Sequence, residues 1–513
     1  MKDYSKDMYR QMEELFAKVD SLTAKVNEQA EEIQTLRIEV KEKDKTIRRL
    51  GKKVETFEAT VEKKNEEIHR LQATVNVLTH ANTVLKEENA RLKSQLQNNS
   101  DNSSNPPSGD QKGGKSANRY NGRKKTEKKQ GAQPGHKGTT LTKAKAEELI
   151  ASGQCKHTIR EIGDPKNGSC ITKYEIDIHI EPEVIEYRIY DRKSVPAHLR
   201  SDVTYGVKVK AFAAELYGIG IVSIDRIQEI ISSITKGSLN ISAGTIYGFC
   251  RKLSVQAQAS LNEIEEHILN GEVAYTDATV VTVNGKLCFV RNVSNKDAVR
   301  YYGMDKKNLA SMKKLRLLTK FAGIFIHDHE TSLYHFGMEH GECNAHLLRY
   351  LLKNTEDCGT TWSVKLRELL YEMKSRRDEA VESGFKELSE SELSAFMRRY
   401  DEILQLGRKE NETTQPKWAK QEENALLNRL EKYKANHLLF LKRFDVAFTN
   451  NMSERDLRKC KNRQKLSGGF RTLEGCEMFA DILSIIETAK RMNLSVFDTI
   501  SSLFQSPAPV FVF

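Results

Sequence analysis

No apolar run in the chain approaches the roughly 20 residues that a membrane-spanning helix requires, so no membrane partner is expected. The first residues, MKDYSKDMYRQMEELF, hold no apolar signal-peptide core. None of the eight cysteines (155, 170, 250, 288, 343, 358, 460 and 476) forms a C-x-x-C pair. Scattered thiols argue against a disulfide framework and for a reducing cytosol. Acidic residues are also in deficit: 82 Lys and Arg face 71 Asp and Glu, a net charge of +11. That imbalance calls for an anionic partner, nucleic acid before acidic membrane. At 513 residues the chain exceeds what one hydrophobic core sustains, so several domains are expected.

What is present first is a heptad repeat. From Leu15 to Leu96 one register holds without a slip. One core position reads Val19, Val26, Ile33, Val40, Ile47, Val54, Val61, Ile68, Val75, Asn82, Asn89, Leu96, and the other carries eight leucines, among them Leu71, Leu78, Leu85 and Leu92. β-Branched residues at a with leucine at d match a parallel two-stranded coil, and Asn82 and Asn89 at a would fix its register. A coiled coil over 8–97 is therefore expected, on the order of 120 Å long, making the protein a homodimer or a higher oligomer.

The coil stops at a polar, proline-broken stretch, QNNSDNSSNPPSGD, and a basic arm follows over 98–148. Residues 111–146 hold eleven Lys or Arg against one Glu. Lys124, Lys125, Lys128, Lys129, His136 and Lys137 are its candidate DNA contacts, supplying a sequence-independent attraction that weakens with salt. Residues 149–203 alternate in strand fashion and predict a small β-rich unit. Cys155, His157 and Cys170 lie there, but C-x-H is a poor zinc spacing and no fourth ligand is evident, which argues against a structural zinc. Residues 204–270 turn helical, and SIDRIQEIISSITKGSLNISAGTIYGFCRKL resembles a helix-turn-helix pair with Ser242 as N-cap.

A constellation of carboxylates follows. GEVAYTDATVVTVNGKLCFVRNV predicts a β-hairpin turning at Asn284-Gly285, with Asp277 inside its first strand. A third strand, AVRYYGM, then a helix near 306–319, then the apolar run FAGIFIHDHE complete the pattern. The last run reads as a buried strand that delivers Asp328 to its C-terminal end. Three antiparallel strands, a helix and a further strand open a ribonuclease-H-like α/β fold, in which the first and fourth strands lie side by side and Asp277 would meet Asp328. Such a pair has a chemical use, because two divalent ions clamp the attacking and leaving oxygens of an in-line phosphoryl transfer. Hard Mg²⁺ prefers oxygen ligands, with Mn²⁺ as its substitute. Glu454, in TNNMSERDLRKCKNRQK, is the candidate third carboxylate. Asn451 as N-cap with Glu454 three residues on imitates a capping box, and capping alone does not need the surrounding Arg455, Arg458, Lys459 and Arg463, which are candidate DNA-backbone contacts. His327 and His329 point away from Asp328 on a strand and are not taken as ligands.

At this point the chain resembles the transposases of insertion sequence 66 type, within the DDE class. NSSNPPSGD and GAQPGHKG at 131–138 resemble the family's linker and short motif; YTDAT, HDHETSLYHFGMEHGECNAHLLRYL and TNNMSERDLR resemble its three acidic motifs in order. The resemblance implies that Asp277, Asp328 and Glu454 form the catalytic, metal-binding triad, holding two Mg²⁺ or Mn²⁺ ions, and that Cys343 and His346 buttress the site. It also implies a core split into 271–354 and 448–473 by a helical insertion at 355–447, closing helices at 474–513, and a bacterial cytoplasm near the nucleoid. The family's cysteine-rich zinc module after the linker is mostly missing here. The expected reaction is cleavage of the element's ends followed by joining of the 3′-hydroxyl to target DNA. A ribonuclease-H-like nuclease without strand transfer and a catalytically silent coiled-coil DNA binder are the alternatives.

Overall fold

The computed structural model describes residues 61–98, 142–162, 171–178, 180–190, 195–199, 201–219 and 222–513, with a few isolated positions besides. The expected coil ahead of residue 61, isolated positions apart, and the basic arm with Lys124, Lys125, Lys128, Lys129, His136 and Lys137 lie outside the described residues. In chain order the described helices begin with α1 (Val61–Leu96), α2 (Lys143–Ala151), α3 (Val207–Gly218), α4 (Ile224–Ile234), α5 (Ala243–Gln256) and α6 (Gln258–Leu269). Strands β1 (Val273–Val283), β2 (Lys286–Ser294) and β3 (Val299–Met304) follow, then α7 (Leu309–Met312), α8 (Arg316–Lys320), β4 (Ile324–His327) and β5 (Glu339–Glu342). A helical run comprises α9 (Asn344–Cys358), α10 (Trp362–Glu382), α11 (Glu390–Thr413), α12 (Lys417–Lys432), α13 (Lys434–His437) and α14 (Leu439–Lys442). The chain closes with α15 (Asn451–Ser467), α16 (Leu473–Arg491) and α17 (Val496–Gln505). No helix among the described residues is long and apolar enough to cross a membrane.

The chain divides into two units, the smaller comprising 123–203 and 228–242. There, Thr142 caps α2 by accepting the Lys145 N–H at 3.2 Å. No described residue between 152 and 203 belongs to a strand, which corrects the expected β-rich unit. Alternation alone makes no sheet: Ile178, Val184 and Tyr190 remain exposed because the described residues offer these segments no partner ladder.

The larger unit is built on one mixed sheet of order β3-β2-β1-β4-β5. β1, β2 and β3 are antiparallel; β4 runs parallel to both β1 and β5. Asn284 and Gly285 turn the first hairpin with φ of 47° and 76°, the left-handed pair that a two-residue turn between twisted strands requires. All four residues of β4 are buried, which explains its unbroken apolar composition. β3 would expose an open edge. Instead Ser484 and Thr488 of α16 accept the Tyr301 and Val299 N–H groups at 2.9 and 3.1 Å, so hydroxyls replace the missing strand. α3 packs closely on α16 at Gly218, where a Cβ would fall 2.2 Å from the Ile486 side chain.

α9 to α14 pack with β4 around a core containing Leu347, Leu351, Trp362, Leu366, Tyr400 and Leu427. Inside it Glu423 is only 1% exposed. Its two oxygens accept five hydrogen bonds, from Trp362 Nε1 (2.6 Å), Asn354 (3.1 Å), Thr360 (3.0 Å), Asn411 (2.9 Å) and Thr414 (2.7 Å). Burial alone would raise the carboxyl; those donors outweigh it and hold it below the usual range. On α1, Leu71, Leu78, Leu85 and Leu92 are half-buried while Val75 is 58% exposed, so one chain does not cover the heptad seam. The last turn of α1 meets α9 through Ser94, which donates to Asp357 Oδ1 at 2.6 Å and accepts from Lys353 Nζ at 2.9 Å.

A buried carboxylate also joins β5 to α12. Glu342 accepts from Arg429 Nη2 at 2.8 Å and from Tyr334, and lies 2.7 Å from His329 Nδ1. Burial opposes its charge, yet these partners keep its carboxyl well below the ordinary range. His437 lies 3.4 Å from the same carboxylate, and burial pushes its imidazole down to about 4. An unfolded histidine takes up a proton near pH 6.5, whereas His437 stays neutral in the fold until about pH 4. Its contribution to stability is therefore present above pH 6.5 and lost as pH falls toward 4. His437→Gln is expected to flatten the decline in thermal stability across that window relative to the parent chain; an unchanged slope in unfolding scans would remove the assignment.

Candidate metal centre

Three segments meet beyond the C-terminal end of β4. The Cys343 N–H donates to His327 O at 2.9 Å, and the Asn344 N–H to Phe448 O at 3.1 Å. The Asn450 N–H donates to Cys343 Sγ at 3.2 Å, and its side chain donates to Thr276 O at 3.0 Å. These bonds lock the starts of α9 and α15 against β1 and β4.

Tyr275 pairs with Ile326 in the parallel ladder, so Asp277 and Asp328, each two residues further on, leave it at one level and on one face. The Asp277 N–H donates to Asn292 Oδ1 at 3.0 Å, and its carboxylate accepts the Ala278 N–H at 2.6 Å. Burial and the neighbouring Asp328 charge push the Asp277 carboxyl up to about 7, against the pull of Lys307 and Arg291. Asp328 goes the other way. Burial would raise it, but His346, His327 and Asn450 outweigh burial and hold it below the carboxylate range. Asp277 is thus the more easily protonated member of the pair.

Glu454 enters from the first turn of α15. That helix starts at Asn451, with Asn450 in the cap position and no side-chain cap bond. The expected capping box of Asn451 with Glu454 does not form, because Asn451 is already the first helical residue. Asn451 is exposed, and Asn450 is the buried asparagine that knits the site.

One donor atom from each of Asp328, Cys343, His346 and Glu454 lies within 4.8 Å of the other three. His346 Nδ1 is 3.1 Å from Asp328 Oδ1 and 3.9 Å from Glu454 Oε1. The shorter contact is too misaligned for a hydrogen bond, and all three atoms are buried without a partner. Burial would lower the His346 imidazole, but Asp328 and Cys343 outweigh it and raise it to about 11. Unsatisfied buried acceptors cost about 1–3 kcal/mol each, and two carboxylate oxygens aimed at one point are what a divalent cation relieves. The residues present therefore fit a metal. Cys343 and His346, expected as a buttress, stand beside the two acids.

Side chains with no legible motif complete the surroundings. Asn292 Nδ2 donates to Asp456 Oδ2 at 3.1 Å, and Arg491 donates to both Asp456 oxygens at 2.6 and 2.7 Å. Arg291, opposite Ala278 across the hairpin, is wholly buried and grips Glu330 at 2.7 and 2.8 Å, with Lys307 3.2 Å from the same carboxylate. No spacing along the chain points to these partners; only alternation marks Arg291 and Asn292 as neighbours of Asp277 across a hairpin.

The expected basic face of α15 is partly present. Arg455 and Arg458 are exposed and Lys459 half-buried, and none forms an ion pair among the described residues. Arg463 does not belong with them. Five residues beyond Arg458, it is rotated about 140° around the helix. It is 6% exposed, with its guanidinium 4.1 Å from the Tyr217 ring, 4.6 Å from Phe479 and 5.3 Å from Phe470. Nη1 donates to Tyr217 O at 3.3 Å. Cation–π contact and burial make it a core residue rather than a DNA contact.

Sequence comparison matches residues 207–478 to the family described as Transposase IS66 family. Residues 5–142 match a family of unknown function, DUF6444. No curated protein matches the chain.

Proposed function

Because the chain belongs to the IS66 transposase family, we propose that it cuts DNA at the ends of an insertion sequence and joins the freed 3′-hydroxyl to target DNA. The observation that carries this reading is the meeting of Asp328 and Glu454 at one unsatisfied point, with Asp277 level with Asp328 on the neighbouring strand, its carboxyl pushed up by burial and by the Asp328 charge. The strand order, three antiparallel strands followed by two parallel ones, supports a ribonuclease-H-like core. Asp277, Asp328 and Glu454 would hold two ions, Mg²⁺ or Mn²⁺. The bound ions would stabilise the charge that develops on the attacking and leaving oxygens. The protein's own part is positional: Asn292 orients Asp277 through its backbone N–H, Asn450 ties Thr276 to the start of α15, and Arg455 and Arg458 present cations to the DNA backbone. Both nucleophiles, water and then the 3′-hydroxyl, are oxygens, so no covalent protein intermediate is required. The exposed a-position Val75 supports a second copy of the chain against α1, as the heptads predict. The cytoplasm near the nucleoid is where such a protein would act.

Three outcomes are expected. Asp277→Asn binds element-end DNA but neither nicks it nor transfers strands in Mg²⁺; cleavage retained in that variant would overturn the triad, and nicking without joining in the parent chain would make it a nuclease. Arg455→Ala and Arg458→Ala each lower the slope of log affinity against log salt by about one, whereas Arg463→Lys lowers thermal stability and leaves the slope alone; a slope change in Arg463→Lys would return it to the DNA face. The full chain sediments as a dimer or larger, and a monomer at micromolar concentration would remove the coil.

A further inference from the structure

The proposed reaction uses three carboxylates, yet the donor cluster is not made of carboxylates alone. Cys343 and His346 contribute a sulfur and a nitrogen to the same point as Asp328 and Glu454, while Asp277 stands outside the group. We infer that Asp328, Cys343, His346 and Glu454 together form a four-ligand site for a borderline-soft cation of the zinc class, separate in its preference from the oxygen-only position between Asp277 and Asp328.

The donor chemistry is the first argument. Thiolate and imidazole select zinc-class ions, whereas Mg²⁺ takes oxygen. Burial is the second: Cys343 is 1% and His346 8% exposed, so both atoms face the carboxylates out of water. The partnerless Nδ1 of His346 is aimed between the two acids. The third is the Asn450 N–H at 3.2 Å from Cys343 Sγ, an outer-shell donor that fixes the orientation of the sulfur. Geometry agrees. Bonds of about 2.0–2.3 Å to N, O and S in a tetrahedron set the donors roughly 3.3–3.8 Å apart. The His346 contacts of 3.1 and 3.9 Å bracket that range, and the 4.8 Å limit on the rest needs only small side-chain shifts. Ligation through Nδ1 displaces the proton there to solvent and leaves Nε2 carrying the other. Four protein ligands leave no open position, so an ion held this way withdraws Asp328 and Glu454 from the Mg²⁺-dependent reaction.

The inference shares those two acids with the cleavage reading and rests on it, but it is tested by spectroscopy. The full-length chain is titrated with Co²⁺, which reports geometry and sulfur ligation through its colour. The expected result is intense tetrahedral d–d absorption together with a sulfur-to-cobalt charge-transfer band. Cys343→Ser loses that band, and His346→Gln binds Co²⁺ at least about tenfold more weakly, a factor that even outer-shell losses reach. Zn²⁺ displaces the colour and Mg²⁺ in large excess does not. Weak octahedral absorption in the parent chain, or a charge-transfer band that survives in Cys343→Ser, overturns the inference whether or not the variants fold well. Should the band be absent while Mg²⁺ cleavage sensitive to Asp277→Asn persists, only this inference falls. Should the band appear in a chain that never cuts DNA, the cleavage reading falls instead.

Discussion

The parallel pairing of β1 with β4 is the constraint on which the rest of the structure depends. It sets Asp277 and Asp328 at one level on one face, where two carboxylates at close range repel. The protein does not separate them. It divides their protonation, pushing Asp277 up to about 7 while His346 and its neighbours hold Asp328 low. An arrangement that keeps two carboxyls together in a buried place stores an affinity for positive charge. The elements around it follow from that need: α9 must begin at Asn344, just after Cys343, to bring His346 within reach, and α15 must begin at Asn451 to bring Glu454. Asn450 holds both starts against the strand.

Elsewhere the same unit buries charge by three different means. Among the described residues Glu423 has no cation and is satisfied by five neutral donors. Glu342 takes an arginine from a helix 87 residues away, together with a tyrosine and histidines. Arg463 has neither a carboxylate nor a full set of acceptors, and aromatic faces stand in for them. Removing one partner from any such group leaves a buried charge uncompensated, which costs more than the pair contributes. The helical run between β5 and α15 is therefore held to the sheet by specific polar contacts as well as by the Trp362 and Leu366 core. The same helix, α9, carries His346, which stands between Asp328 and Glu454, at its start and meets the end of α1 near its finish, at Lys353 and Asp357.

Local rules were readable wherever their causes are local. Asn284-Gly285 specified a turn because left-handed φ values are inexpensive there, and the apolar run at β4 specified burial on both faces. The motifs around Asp277, Asp328 and Glu454 carried the family, which the match over 207–478 establishes. Reading failed where the cause was distant. Alternation at 171–190 resembled strands, but a strand exists only with a partner ladder, and none appears among the described residues. Arg463 looked like one more cation in a basic run until its helix face met Tyr217 and Phe479. Asn451 looked like the cap because paired asparagines are indistinguishable by spacing; contact with Thr276 O and Cys343 chose Asn450.

By itself the sequence determined the kind of chain this is: heptads, a basic arm, a hairpin, a buried strand, and the family to which the acidic motifs belong. Those are properties of residues a few positions apart, where periodicity and backbone preference act directly. Only the tertiary structure decided which of two neighbouring acids is the more easily protonated, which cation is buried, and that a cysteine and a histidine stand beside Asp328 and Glu454. These depend on contacts between separate segments of the chain, such as Cys343 and Asn450, 107 residues apart, and such contacts are set by how the whole sheet and its helices close.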